Sequence, residues 1–344
     1  MSATLQHDDT PALDESLYRL EEQDHEFLSS ATGIKDPEEL KKHIIAVQTE
    51  IYAVRLQRRH SPFVLLRRVI CRSTPIAAFV HLYSQCEGQV CTYAAQLVVD
   101  AAPPSRLKIS RFPAYQDFLK LGKERPGALF LDLACCVGND VRKAVADGFP
   151  VNQALASDLH PGQYPKFVAC TISNVPCLFL EFWDMGHKLF GTTPETFPVP
   201  FIAADAFDDK YLALSPIPIS PPTDPLPPLS ELKTLTPLVG RLSAIHTSAF
   251  FHLFPEDKQL ELAWRIAPLL SPEPGSIIFG VHGGLPQKGF RDRKNSHGIY
   301  MFCHDPQSWK ELWETQVFQP GQVKVEAFLV ENLRTDPEIG RAHV

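Results

Sequence analysis

The chain has 344 residues, enough for one large domain or two small ones, with 44% hydrophobic and 21% charged residues, the balance of a globular protein. A formal net charge of −7 leaves no electrostatic footprint for nucleic acid. No run approaches the roughly 18 apolar residues of a membrane span; the nearest candidate, Thr74 to Tyr83, is too short.

Residues 1–35 read as a loose polar arm with a short helix near Ser16–Glu22 and without the apolar core of a signal peptide. Pro37-Glu38-Glu39 opens a helix to about Val54, with Pro in the first turn, acids next and Leu40, Ile44, Ile45, Val47 and Ile51 at helical spacing. That stripe reads as core packing. Residues 56–106 hold Cys71, Cys86 and Cys91 but keep no steady period, and no role follows from them. The eight cysteines of the chain are scattered, with no CxxC pair beside metal-spaced histidines, which reads as reduced thiols in a cytoplasmic protein and not as a disulfide framework or a zinc site. Leu107–Pro113 is a short ordered lead-in, Tyr115–Lys123 a helix, and Pro126-Gly127 a turn.

Ala128 to Asp140 (ALFLDLACCVGND) carries the strongest signal. An apolar run ending in Asp132 turns through Ala134, Cys135, Cys136 and Gly138 into a helical stretch beginning at Asn139. A buried parallel strand, a turn of small residues and a helix N-terminus form the nucleotide-binding corner of a doubly wound sheet. Small residues suit a backbone that must approach a ligand closely. Cys135 and Cys136 read as small turn residues, not nucleophiles. Ala154–Asp158 is a second strand ending in an acid, well placed to accept from ribose hydroxyls.

Glu181–Phe190 is an amphipathic helix, Val199–Asp205 a third strand ending in an acid, and Pro216–Pro237, with eight prolines, an extended solvated loop. Leu242–His246 is the fourth strand, Pro255–Leu270 a helix, and Ser276–His282 the fifth strand. A polar loop, Gln287–His297, leads to Ile299–Phe302; Asp305-Pro306 caps a helix through Trp309, Leu312 and Trp313; and Val323–Val330 is a last strand. Strand and helix alternate from Ala128 onward, so the class is α/β with a mostly parallel sheet.

Asp132, Asp158 and Asp205 at three strand ends fit an adenosine-bearing ligand. There is neither GxGxxG nor GxxxxGK[ST], so a phosphate cradle is not expected, and Asn139-Asp140 after the turn would oppose a pyrophosphate. A cationic sulfonium tolerates acidic surroundings better than a dinucleotide does. His246, His252 and His282, at or just after strand ends, are candidates for a general base, with His246 the first choice.

FLDLACCVGNDVRKAVADG, ASDLHP, EFWDMGHKLF, VPFIAADAFD, SAIHTSAFFHLF, SPEPGSIIFGVHGG and MFCHDPQSWKELW, in that order, resemble fungal class I S-adenosylmethionine-dependent methyltransferases of specialised-metabolite (meroterpenoid-type) pathways. The resemblance covers roughly 107–161 and 181–331 and the helix from Pro37. It implies a Rossmann-like sheet with an N-terminal helical extension over 1–106, a methyltransferase domain over 107–334 and a tail over 335–344. It further implies S-adenosylmethionine as cofactor, held by Asp132, Leu133 and Gly138 at the methionine end, by Asp158 and Leu159 at the ribose, and by Asp205, Ala206 and Phe207 at the adenine, with Ile245 and His246 closing the pocket. The partner implied is a small-molecule acceptor methylated on a hydroxyl, enol or carboxyl oxygen. A non-catalytic or impaired relative, or a nicotinamide-dependent oxidoreductase, is the alternative.

The sequence departs from the family pattern at four points. Ala134 and Cys136 stand where glycines are usual. Residues 162–180 look inserted, and 56–106 is longer than expected. The 162–180 stretch reads as a retained intron: Gly162 can encode a GT donor, Ser173-Asn174 a CTAAC branch sequence, and Leu180 with the first base of Glu181 a closing TAG. A fully spliced transcript that still carries these codons overturns that reading. Finally, the sequence ends at GRAHV soon after Val330, where the family resemblance implies an antiparallel seventh strand, so an incomplete sheet is the expectation.

Overall fold

The structure, a computed structural model, describes residues 18, 20–59, 107–159, 182–294 and 300–330. Most of the helix expected near Ser16, the stretch 60–106, the inserted segment 162–180 and the tail 335–344 lie outside these residues.

Five strands form one parallel sheet: β1 (Leu129–Leu133), β2 (Ala154–Asp158), β3 (Phe201–Ala203), β4 (Leu242–Thr247) and β5 (Ile277–Phe279), in the order β3-β2-β1-β4-β5. This is the Rossmann-like arrangement expected from the sequence. The three central strands read as near-continuous apolar runs because both faces are covered. On one face Phe118 of α3 (Tyr115–Glu124) packs on Phe130 and Phe149, with ring centroids 4.7 and 4.9 Å apart. The same face takes Val141 and Ala144 of α4 (Asn139–Ala146). On the other face Leu131, Leu155 and Ile245 meet Leu262 and Ile266 of α6 (Glu256–Ile266), and Trp313 from the π-helical turn that continues α7 (Pro306–Glu311). Alternation along each strand therefore sends Leu131 and Ile245 down, and Asp132 and His246 up beside α3 and α4.

The N-terminal segment is ordered onto this core. A helix does form there, but over Glu22–Thr32 (α1), later than the Ser16–Glu22 expectation. Gly33, at φ 76°, stops it in the left-handed conformation a helix C-terminus favours. Phe27 and Leu28 of α1 and the stripe Leu40, Ile44, Val47 and Ile51 of α2 (Pro37–Arg59) bury against Met185, Leu189 and Phe190 of α5 (Phe182–Phe190) and against Val137. His43 Nε2 lies 2.8 Å from the carbonyl of Leu189.

Three sequence expectations are corrected. Within the polar loop Gln287–His297, Gly289–Lys294 forms a strand (β6) that pairs antiparallel with β7 (Tyr300–Cys303). Its charged residues mask it, because the hairpin buries mainly the Met301 and Cys303 side of β7. Val323–Val330 alternates like a strand but joins no ladder; Phe328 and Val330 are 63% and 71% exposed, and only Val323 and Val325 touch the core. The proline-rich segment is not simply solvated: Leu232, Leu235 and Leu238 are buried in the core and two short 3-10 turns interrupt it. Its leucines fill the space a helix between β3 and β4 would occupy. Among the described residues no helix is long and apolar enough to cross a membrane.

Candidate active site

The C-terminal ends of parallel strands are where an open α/β sheet binds ligands. The backbone there is under strain. The three non-glycine residues with positive φ among the described residues are Ala134 (60°), Cys136 (52°) and Ala249 (56°), all just beyond β1 or β4. Left-handed backbone costs an L-residue roughly 1–2 kcal/mol, and such strain collects at functional sites. Positions 134 and 136, where relatives are expected to carry glycine, thus keep the glycine conformation without the glycine.

The loop after β1 is pinned from several sides. The Cys135 N–H donates to the Ser157 carbonyl at 3.2 Å and the Gly138 N–H to the Cys135 carbonyl at 2.8 Å. Asp158, at the end of β2, accepts from the Cys136 N–H through Oδ2 and from the Leu159 N–H through Oδ1, each at 2.7 Å. Burial pushes the Asp158 carboxyl up to about 6, against the lowering effect of these two hydrogen bonds. Gly138, at φ 72°, has no room for a side chain: a Cβ would lie 2.5 Å from the Trp183 ring and 2.7 Å from Arg142 Nη1.

Register places Asp132 opposite His246 across β1 and β4. Asp132 Oδ1 lies 2.8 Å from His246 Nδ1, and Oδ2 accepts from the Val141 N–H at 3.2 Å. His246 Nε2 lies 2.8 Å from Ser248 Oγ, which accepts from the Val281 N–H at 3.1 Å. An ionised Asp132 can only accept, so with Asp132 ionised Nδ1–H donates to it and Nε2 accepts from the Ser248 hydroxyl. Both side chains are buried, and burial raises the Asp132 carboxyl above the usual range despite the opposing effect of His246. Phe112 and Phe279 pack edge-on and tilted around the imidazole, with ring centroids 6.1 and 5.3 Å away. Asp140 fixes the lead-in by accepting from the Lys108 and Ile109 N–H groups at 2.8 and 2.9 Å.

The third acid lies on the far side of β2, after β3. Asp205 Oδ1 accepts from the Phe207 N–H at 2.9 Å, Ala206 is buried, and the Phe207 ring sits edge-on to Phe254 at 4.9 Å. Leu133 is buried at the end of β1, and Ile245 is fully buried in the lower core. The structure thus brings Asp132, Gly138, Asp158 and His246 around one loop, with Asp205, Ala206 and Phe207 at the adjoining strand end.

Beyond β4 and β5 lies a second set. His252 accepts from the Gly283 N–H at 2.7 Å, and His282 accepts from the Phe250 and Phe251 N–H groups at 3.4 and 3.3 Å. Trp309 bridges His282 and His304, with centroids 5.3 and 5.5 Å away. Burial holds His252 down at about 3, helped by the charges of Arg291 and Lys108; it also lowers His282 and His304. All three imidazoles are therefore neutral near neutral pH. Sequence reasoning singled out His252 and His282 but missed Ser248, His304, Lys108 and Arg291. Only Ser248, two residues from His246 at a strand end, carries a local signal.

The N–H groups of Cys135, Cys136 and Gly138 are bonded within the protein and so are not offered to a phosphate. Each Asp158 oxygen accepts one N–H and keeps a further lone pair that a hydroxyl can use.

Residues 13–56 match the meroterpenoid methyltransferase N-terminal domain family. The chain is 30% identical over 218 residues to O-methyltransferase phiE of a fungal species, a match spanning 62% of this chain and 57% of that relative's length. It is 28% identical over 237 residues to methyltransferase adrK of Penicillium rubens, covering 69% of this chain and 68% of the relative. It is likewise 28% identical over 236 residues to the asnovolin E/chermesin D methyltransferase nvfJ of Aspergillus novofumigatus, covering 68% and 69%. The chain is thus similar to fungal specialised-metabolite methyltransferases, and it spans 57% of the length of the phiE relative. The family match covers α1 and most of α2, and the helices of this N-terminal unit rest on α5 beside the loop after β1. No solved structure matches the chain.

Proposed function

We propose that this protein, like the methyltransferases it resembles, transfers a methyl group from S-adenosylmethionine to an oxygen of a small specialised metabolite. The observation that carries the reading is the strained loop after β1, set between the carboxylates of Asp132 and Asp158 with no free phosphate cradle. The cofactor, when bound, supplies an electrophilic methyl on a sulfonium. Asp132, Leu133 and Gly138 shape the methionine end, Asp158 and Leu159 receive the ribose, and Asp205, Ala206 and Phe207 border the adenine, with Ile245 supporting the wall from below.

Displacement at a methyl needs the acceptor oxygen, carbon and sulfur in line, so positioning supplies most of the rate. Lys108 and Arg291 lie near enough to His252 for their charges to depress it, and a positive potential on that side favours an acidic acceptor oxygen. An already ionised carboxylate needs no base. An enol or hydroxyl loses its proton to His246 by way of the Ser248 hydroxyl, the group bonded to Nε2, while Asp132 steadies the resulting imidazolium. Calorimetric titration with S-adenosylhomocysteine and with NAD tests the reading. Binding of NAD alone overturns it, and binding of S-adenosylhomocysteine without methyl transfer to any pathway extract favours a non-catalytic relative.

A further inference from the structure

Arg142 is unlike any other cation described in the chain. It lies on α4, one turn beyond the loop after β1, and is 5% exposed. No carboxylate is among the groups that act on its charge: burial lowers it to about 10, and only Cys135 opposes that shift. Its guanidinium is instead held by dipoles and rings. Nη1 donates to the carbonyls of Val137 at 2.9 Å and Gly138 at 3.1 Å, and Nη2 faces His187 Nδ1 at 3.5 Å. The rings of Trp183, Phe190 and Phe197 surround it at 4.8, 5.0 and 4.6 Å from the guanidinium carbon. Cation–π contact strengthens in a desolvated site and offsets part of the cost of burying the charge.

What the charge holds is specific. Two glycines let α5 press directly on the loop: a Cβ on Gly186 would lie 2.0 Å from the Val137 carbonyl oxygen, and one on Gly138 would meet Trp183. Arg142 occupies the seam between helix and loop and draws both carbonyls backward. A trans peptide is planar, so drawing a carbonyl one way turns the N–H of the same unit the other way. In the Val137–Gly138 unit the N–H turns away from Arg142 onto the Cys135 carbonyl at 2.8 Å, which ties the clamp to the fold of the loop. The Gly138 carbonyl is held both by the guanidinium and by the Arg142 backbone N–H at 3.2 Å, so the Gly138–Asn139 N–H faces away from Arg142. Loop residues 134 and 136 carry left-handed strain, so a loop without this clamp has lower-energy conformations available.

We propose that Arg142 is a positioning residue for the amino-acid end of the methyl donor, acting through the Val137 and Gly138 carbonyls. The inference rests on the donor assignment made above. It does not require Arg142 to touch the donor.

The test compares two ligands on purified full-length protein by calorimetry. S-adenosylhomocysteine carries the amino-acid end; 5′-methylthioadenosine keeps the adenosine and sulfur and lacks it. In Arg142→Met, which keeps an apolar stem among the three rings, the Kd for S-adenosylhomocysteine rises at least tenfold while that for methylthioadenosine stays within twofold. Arg142→Lys, which keeps the charge but lacks the planar fork, falls between Met and wild type. Equal weakening of both ligands, or no weakening of either, overturns the inference. Should Arg142→Met fail to fold, Arg142→Lys carries the test: a threefold loss confined to S-adenosylhomocysteine supports the inference, and an equal loss for both ligands or no loss overturns it. Wild-type protein that binds neither ligand overturns the donor assignment itself and the inference with it. Wild-type protein that binds S-adenosylhomocysteine no better than Arg142→Met overturns the inference alone.

Discussion

Replacing Ala134 by glycine should stabilise this protein, whereas alanine-to-glycine substitution in a helix interior should destabilise it. Ala134 sits at φ 60° and is only partly buried. Left-handed backbone costs alanine about 1–2 kcal/mol, and glycine returns about 0.4–1 kcal/mol of that through the greater freedom of the unfolded chain. The net gain expected for Ala134→Gly is about 0.5–1 kcal/mol. Ala263, in the middle of α6 and fully buried, is the internal control. There the same change costs about 1 kcal/mol in helix propensity and about 0.8 kcal/mol for the lost buried methyl. The two variants should therefore differ by about 2.5 kcal/mol, roughly 3–4 °C in Tm for 344 residues at a per-residue unfolding entropy of ~2.1 cal/mol/K. Differential scanning calorimetry on both variants and wild type, without ligand, gives the comparison. If Ala134→Gly lowers Tm as much as Ala263→Gly does, the loop is not strained as argued, and strain cannot mark the site.

Gly186→Ala should cost at least about 2 kcal/mol, the range for overpacking a filled contact, because its Cβ would collide with the backbone oxygen of Val137; a loss below 0.5 kcal/mol in chemical denaturation would contradict the α5–loop seam. Binding of S-adenosylhomocysteine should weaken about tenfold from pH 7 to pH 5, since Asp158 takes up a proton near 6 and loses acceptor capacity, and Asp158→Asn should show no such slope. Stability has two opposed pH terms. A carboxyl raised above its unfolded value of about 3.9 contributes stability that falls as pH rises from about 4 to 6. Imidazoles lowered below their unfolded value of about 6.5 contribute stability that is lost as pH falls from there, with a limit near 1.4 kcal/mol per pH unit for each group. With His252, His282 and His304 set against Asp132 and Asp158, the midpoint in urea should fall from pH 7 to pH 5, and a rising midpoint would sink the assignment of three neutral imidazoles. Ser248→Ala should lower kcat at least tenfold on a hydroxyl acceptor and leave the Kd for S-adenosylhomocysteine within twofold; unchanged kcat would remove the proton path through Ser248.

The sheet was legible because its strands are buried on both faces. Ala154–Asp158 forms the second strand as read, and Asp132 and Asp158 end apolar runs that nothing else explains. What stayed hidden depends on contacts distant in sequence. Nothing local marks Arg142 as a loop clamp, since an arginine in the first turns of an amphipathic helix reads as a solvated charge. Gly186 in a helix reads as a weak residue until Val137 is seen against it. The strand Gly289–Lys294 carries charges where alternation was sought, and Val323–Val330 has the alternation but no ladder. The proline-rich stretch misled for a related reason: its prolines announce extension, while the leucines among them are held in the core.

The contact between His43 and Leu189 spans 146 residues of sequence. On a ribosome adding about 5–20 residues per second, α2 waits roughly 7–30 s before α5 exists to receive it. Throughout that interval the stripe Leu40, Ile44, Val47 and Ile51 has no native partner from α5. The N-terminal helices are thus seated on α5 long after they are made, and the loop after β1 gains the support of α5 only then. Synthesis of this protein therefore contains a built-in interval in which the apolar stripe of α2 is without its native cover from α5.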